Sequence, residues 1–111
     1  DIASVRNAVL RLEDELGNHA TMVTLSEHGV FVHSASEERL LPAHHRKIAD
    51  VSGAGDTVIA IATLALAQGL SMVHVAALSN LAGGLVCEEI GVVPIDPERF
   101  RSEAVRLNLL Q

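Results

Sequence analysis

The sequence predicts an α/β fold in which helices outnumber and cover a small sheet. Three observations point there. Val5, Ala8, Val9, Leu12 and Leu16 recur at the i, i+3, i+4, i+7 spacing of one helical face. Two short apolar runs, Met22–Leu25 and Gly29–His33, are joined by the turn-like Ser26-Glu27-His28-Gly29, which is the pattern of a hairpin. Three further helical patterns occupy residues 56–110.

The elements follow in order. The first helix stops at Gly17, and its polar side includes the run Glu13-Asp14-Glu15, which reads as a solvated face. After the hairpin, Ser34–Arg39 is polar and reads as a surface turn. Leu40–Ile48 reads as an edge strand, because Pro42 argues against a helix and suits a sheet edge. Residues Asp56–Gln68 leave almost no polar side, so a buried helix is expected, ended by Gly69. Ser71 suits the N-cap of the next helix, about Met72 to Glu89. Its interior Gly83-Gly84 costs about 1 kcal/mol per glycine relative to alanine. Close approach of a neighbouring helix and close approach of a ligand both account for that pair. Asp96-Pro97-Glu98 opens the last helix, with Pro97 at its first position. The strands do not make a self-sufficient sheet, and a helix as apolar as 56–68 needs cover on several sides. With Asp1 as the first residue, this leads us to expect a fragment or processed product, 1–111 being the C-terminal part of a larger domain.

Composition narrows the function classes. Of 111 residues 49% are hydrophobic and only 2% aromatic, and the formal net charge is −6. Nucleic acid is not an expected partner, since phosphates call for Lys/Arg clusters and bases for aromatic rings. Cys87 is the one cysteine, so no internal disulfide forms and a reducing, cytoplasmic setting is expected. The start lacks a signal-peptide pattern, and the most apolar run, Val58–Ala67, is about half the roughly 20 residues that span a bilayer. No membrane association is expected. The histidines show no metal-binding spacing: His44-His45 are adjacent, and His19, His28 and His33 lack i, i+4 pairing. They read as surface or turn residues rather than as the convergent ligands zinc requires. Cys87 reads as a buried, inert thiol, because Glu88-Glu89 oppose a thiolate.

The chemistry concentrates in Ser52-Gly53-Ala54-Gly55-Asp56-Thr57. N–H groups at a helix start have no intrahelical partner, and the helix dipole adds partial positive charge there. Small residues let an anion approach those groups, so Gly53, Ala54 and Gly55 can form an anion cradle. A tight strand-to-helix turn with Asp56 as a first-turn acid fits the same spacing. Where the anion is a phosphoryl group in transit, Asp56 can take the proton of an attacking hydroxyl. The stretch is not a Walker A loop, since no Gly-Lys-Ser/Thr follows. It is not a dinucleotide fingerprint either, since Val58 occupies the third glycine's place.

Asp50-Val51-Ser52-Gly53-Ala54-Gly55-Asp56-Thr57 resembles the C-terminal signature of the ribokinase-like (PfkB) carbohydrate kinases at eight positions. Val23–Val30 resembles that family's nucleotide-binding strand and turn. Ser79-Asn80-Leu81-Ala82 and Val86–Pro94 resemble the helix beside the adenine and the loop closing the site. Asp56–Ala60 and Leu78–Val86 look most like the kinase domain of bacterial ADP-heptose synthases, which phosphorylate heptose 7-phosphate at the anomeric oxygen for lipopolysaccharide core precursors.

The resemblance implies the nucleotide-binding, C-terminal part of a three-layer αβα, Rossmann-like kinase fold. It implies Asp56 as catalytic base, with Gly53, Ala54 and Gly55 as the anion hole. It implies Thr24, Ser26 and Gly29 around the nucleotide phosphates and ribose, and Asn80 beside the adenine. Asp50 and Ser52, with main-chain carbonyls near Val86, Glu89 and Gly91, would hold a monovalent cation. ATP, Mg²⁺ and potassium are the implied cofactors, a sugar phosphate the implied substrate and a homodimer the implied assembly. Two departures stand out. Ser26 replaces a usual glycine and can crowd the nucleotide. Ile95 stands where some relatives place a serine at the cation, which puts potassium dependence in question. The sugar-binding residues, the lid and an Asn-x-x-Glu magnesium segment belong to N-terminal sequence outside this chain, so residues 1–111 alone are expected to have no kinase activity. Another PfkB sugar kinase and a non-catalytic nucleotide-binding or assembly module are the alternatives.

Overall fold

A computed structural model describes residues 1–44, 48, 51 and 53–110. Helix α1 (Ile2–Leu16) leads into strands β1 (Ala20–Thr24), β2 (Val30–Ser34) and β3 (Glu38–Leu41). Helices α2 (Ala54–Ala67), α3 (Met72–Val86) and α4 (Pro97–Arg106) follow. Local chemistry sets most boundaries. Asp1 accepts from the Ala3 N–H at the start of α1, and Gly17, left-handed at φ 68°, ends it. Ser71 caps α3 by accepting from the His74 N–H, and Asp96 caps α4 by accepting from Glu98 and Arg99.

The sheet is antiparallel, in the order β1-β2-β3. Thr24 pairs with Val30 and Ala20 with Ser34. His33 pairs with Glu38 and Val30 with Leu41 across the second ladder. The turn expected over Ser34–Arg39 is therefore shorter, and the edge strand begins earlier, at Glu38. A Glu-Arg-Leu-Leu strand has no alternation to announce it, because three of its four residues are exposed. Among the described residues β1 has a strand on one side only. Its turn to β2 needs Gly29: that residue lies at φ 92°, and a Cβ there would sit 1.9 Å from the Leu41 carbonyl oxygen.

Two cores meet on α3. Val30 and Val32, on one face of β2, pack with Ala76, Met22, Leu41, Met72 and Val73. Leu78, Leu81 and Leu85 pack with Ala65, Ala104, Phe100 and Leu107 between α2 and α4. Residues Val75, Ala76, Leu81 and Ala82 are almost wholly buried, and truncating a fully buried leucine such as Leu81 to alanine costs about 2–5 kcal/mol. The buried Ser79 hydroxyl donates to the Val75 carbonyl at 2.7 Å, so no polar atom of that side chain is stranded. Glu37, from the β2–β3 turn, accepts from the Val73 N–H at 3.1 Å and adds a second, tertiary cap to α3.

The sequence assigned burial to the wrong helix. The helix covered on several sides is α3. In α2 only Val58 and Ala65 are buried, while Ile59, Leu64 and Leu66 are more than half exposed. Apolar composition states a need for cover, and among the described residues only one side of α2 receives it. Three smaller readings also change. The third helix ends at Val86, not Glu89. Glu13 is not solvated, since its side chain is 14% exposed. His33 is not a surface or turn residue, since it lies in β2 with a side chain 13% exposed.

Candidate active site

An open cleft of about 550 Å³ lies between the hairpin turn, the start of α2 and the middle of α3. The volume falls within the roughly 300–1,000 Å³ typical of small-molecule sites. The hairpin contributes Thr24, Ser26, Glu27, Gly29 and Val30. Helix α2 contributes Ala54, Gly55 and Val58. Helix α3 contributes Asn80, Gly83 and Gly84, and its C-cap contributes Cys87. The structure thus brings all four residues expected around a nucleotide to one cleft, together with two of the three cradle residues.

Each wall has a local cause. Leu25 N–H donates to the Gly29 carbonyl at 2.8 Å, closing the turn that presents Ser26 and Glu27. Ser26 adopts φ 54°, a left-handed conformation that glycine takes without strain and serine does not. The departure at this position therefore shows itself first in the backbone. The Glu27 carboxyl is held below the usual glutamate range, first by its own backbone N–H, then by the Ser26 hydroxyl and by His28. Asn80 donates from Nδ2 to the Pro42 carbonyl at 2.8 Å, which ties the segment after β3 to α3 across the cleft. Gly83 answers the question its sequence raised: a Cβ there would lie 2.8 Å from Val58 Cγ2. The glycine lets α2 pack close on α3, and both glycines of the pair also line the cleft.

The cradle is refined. Gly53 is the N-cap of α2 at φ 75°, with no side-chain cap. The Ala54 N–H is turned inward to the Val51 carbonyl at 3.3 Å. The N–H groups of Gly55 and Asp56 have no acceptor among the described residues, and no atom lies within 4 Å of where a Gly55 Cβ would be. Among the described residues, the donors of this helix start left without an acceptor are therefore those of Gly55 and Asp56. The Asp56 side chain is exposed and does not line the cleft. A turn of about 100° per residue carries it around from Gly55, onto the same side of α2 as Ile59 and Thr63.

Glu27, Val58 and Cys87 line the cleft without having been singled out for it. Cys87 is half-buried rather than buried. For Val58 the sequence held one usable signal, the glycine pair on the facing helix. Among the described residues no group of three His, Cys, Asp or Glu converges as a metal site. Asp50 and Ser52 lie outside the described residues, as does His45. Of the other expected cation residues, Val86 is buried, Glu89 exposed and Gly91 left-handed at φ 84°. No helix of the described residues is long and apolar enough to cross a membrane.

Residues 1–99 match the pfkB family carbohydrate kinase profile. The chain belongs to that family. Among curated relatives, the bifunctional protein HldE of Desulfatibacillum aliphaticivorans is 36% identical over 93% of this chain and 21% of its own length. HldE of Pseudomonas entomophila is 41% identical over 83% of this chain and 20% of its own. This pfkB-family chain thus spans about a fifth of the curated relatives it matches. Phosphofructokinase-2 of Escherichia coli, in complex with potassium, superposes at TM-score 0.84 with 19% identity, covering 94% of this chain and 34% of that one. An Escherichia coli protein described as ribokinase II, in complex with ATP and Mg²⁺, gives TM-score 0.81 and 18% identity over 91% of this chain and 33% of that one. The fold is the α/β fold of ribokinase-like kinases.

Proposed function

We propose that residues 1–111 are the C-terminal, nucleotide-binding part of a sugar kinase domain, in which ATP occupies the cleft and Asp56 serves the acceptor hydroxyl. One observation carries this reading. The N–H groups of Gly55 and Asp56, without an acceptor among the described residues, start a helix at the cleft wall, and the exposed Asp56 carboxylate stands beside them, outside the cleft lining. That is the division a phosphoryl transfer needs, with the donor on one side of the anion cradle and the acceptor on the other.

Thr24, Ser26 and Gly29 would flank the phosphates and ribose, with Asn80 near the base. Ala54, Val58 and Gly83 supply a smooth apolar floor. The Glu27 carboxylate at the rim disfavours a bare triphosphate and favours one that carries a metal ion. Mg²⁺, carried in with the nucleotide, would supply positive charge against the phosphates. Asp56 accepts the hydroxyl proton as the oxygen attacks, and the Gly55 and Asp56 N–H groups hold the charge that develops on the transferred group. The sugar would approach along the side of α2 that the described residues leave uncovered. The rest of the site would come from polypeptide outside 1–111. Relatives named HldE support a heptose 7-phosphate, phosphorylated at the anomeric oxygen, as the acceptor. Assembly as a homodimer belongs to the same proposal.

The test has two parts. Calorimetry of the 111-residue chain should show ATP or ADP binding, and no heat at millimolar nucleotide would sink the cleft assignment. In the complete kinase domain, Asp56→Asn should lower kcat by about 10²–10⁴-fold with little change in ATP affinity. Activity within a few-fold of the parent would show that Asp56 is not the base.

A further inference from the structure

Arg99 stands where a helix does not favour a cation. It is the third residue of α4, in the first turn, at the positive end of the dipole. Its guanidinium is directed backwards in sequence. Nη2 lies 2.5 Å from Glu88 Oε1 and Nη1 lies 3.8 Å from Glu89 Oε1. Those carboxylates sit just after the C-cap of α3, at the start of the 87–96 loop. The far end of that loop is Asp96, whose carboxylate caps α4 and accepts from the Arg99 N–H at 3.4 Å. Arg99 therefore closes the loop at its base.

The loop matters because of what it touches. Val92 Cγ1 lies 2.9 Å from where a Cβ on Gly53 would be, although Val92 is 75% exposed. The loop is thus seated on the N-cap residue of α2, next to the open N–H groups. Under the loop is a cavity of about 240 Å³ lined by Val86, Glu89, Ile95 and Arg99 among others. Val86 and Glu89 are two of the residues expected to offer carbonyls to a monovalent cation. The Arg99 guanidinium that lines the same cavity is paired there with the Glu88 and Glu89 carboxylates.

We propose that Arg99 is a positioning residue: by holding Glu88 and Glu89 it fixes the 87–96 loop against Gly53, and so keeps the start of α2 in shape for the nucleotide. This rests on the nucleotide reading of the cleft.

The experiment titrates the 111-residue chain and its Arg99→Ala variant with ADP. Arg99→Ala is expected to bind about tenfold more weakly than the wild-type chain. Arg99→Lys, which keeps the charge but loses the fork, is expected to recover part of that loss. Hydrogen exchange supplies a readout independent of nucleotide. In Arg99→Ala the amides of Gly53–Asp56 and of 87–96 should exchange about tenfold faster, with β2 unchanged. Unaltered exchange in Arg99→Ala, or unaltered ADP affinity, overturns the inference alone. Absence of ADP binding by the wild-type chain overturns the nucleotide reading and this inference with it.

Discussion

The His33 imidazole and the Glu13 carboxylate form a half-buried pair that fastens β2 to α1, with Nδ1 2.8 Å from Oε1 and 3.0 Å from Oε2. Thr21 donates its hydroxyl to the other side of the same carboxylate at 2.6 Å. Arg6 of α1 reaches Glu38 of β3 at 2.7 Å, so helix and sheet are joined at two points.

This pair makes acid stability depend on Glu13. The Thr21 hydrogen bond, against the opposing effect of burial and with help from His33, holds the Glu13 carboxyl below the usual glutamate range. A depressed folded-state value contributes stability that is full above the unfolded value of about 4.3. It is lost as pH falls through the folded one. Thermal unfolding followed from pH 7 to pH 3 should show this loss. Glu13→Gln should lower the midpoint at pH 7 and flatten the acid limb. An acid limb identical to the parent's would mean that the pair does not fasten α1.

The left-handed Ser26 stores strain that glycine would release. Ser26→Gly should stabilise the chain by about 0.5–1 kcal/mol, and Ser26→Val should destabilise it by about 1–2 kcal/mol. Urea midpoints decide it. A loss of stability in Ser26→Gly would show that the serine hydroxyl outweighs the backbone cost.

The contact between α2 and α3 predicts a coupled pair. Gly83→Ala gains about 1 kcal/mol of helix propensity but forces a methyl against Val58, for about 1–3 kcal/mol of overpacking. Val is stiff at χ1, so it cannot easily turn aside. Combined with Val58→Ala, the same change should become stabilising, with a coupling energy of at least about 1 kcal/mol in a double-mutant cycle. Simple additivity would mean the helices are not in contact there.

Much of the fold was legible because it is local. The Val5-to-Leu16 spacing, the glycine turn before Val30, and the caps Gly17, Ser71 and Asp96 each act within a few residues, and each stands where the sequence placed it. What escaped depends on neighbours distant in sequence. Helix α2 and helix α3 are about equally apolar, so only their packing shows that β2 and α4 cover the second and not the first. Glu13 looked solvated until Thr21 and His33 came against it from the hairpin. The site divides in the same way. The Gly-Ala-Gly-Asp run announced an open helix start, and the cleft gathers Thr24, Ser26, Gly29 and Asn80 beside it. That Ala54 spends its N–H on Val51, and that Asp56 turns out of the cleft, follows from backbone angles that residue types alone do not state.

Strand β1 carries a consequence for handling the chain by itself. Among the described residues no strand pairs with its outer row of N–H and C=O groups, which is a template for another strand, and Ala20-Thr21-Met22-Val23-Thr24 contains neither a charge nor a proline to deter one. Two copies meeting along that edge would satisfy each other's hydrogen bonds, and further copies can recruit through the bare leucines of α2. Solubility should therefore fall steeply with concentration and improve when a lysine is placed at Thr24, the exposed end of the strand. Precipitation at the bench would reflect the colloidal behaviour of an unprotected edge, not a failure to fold.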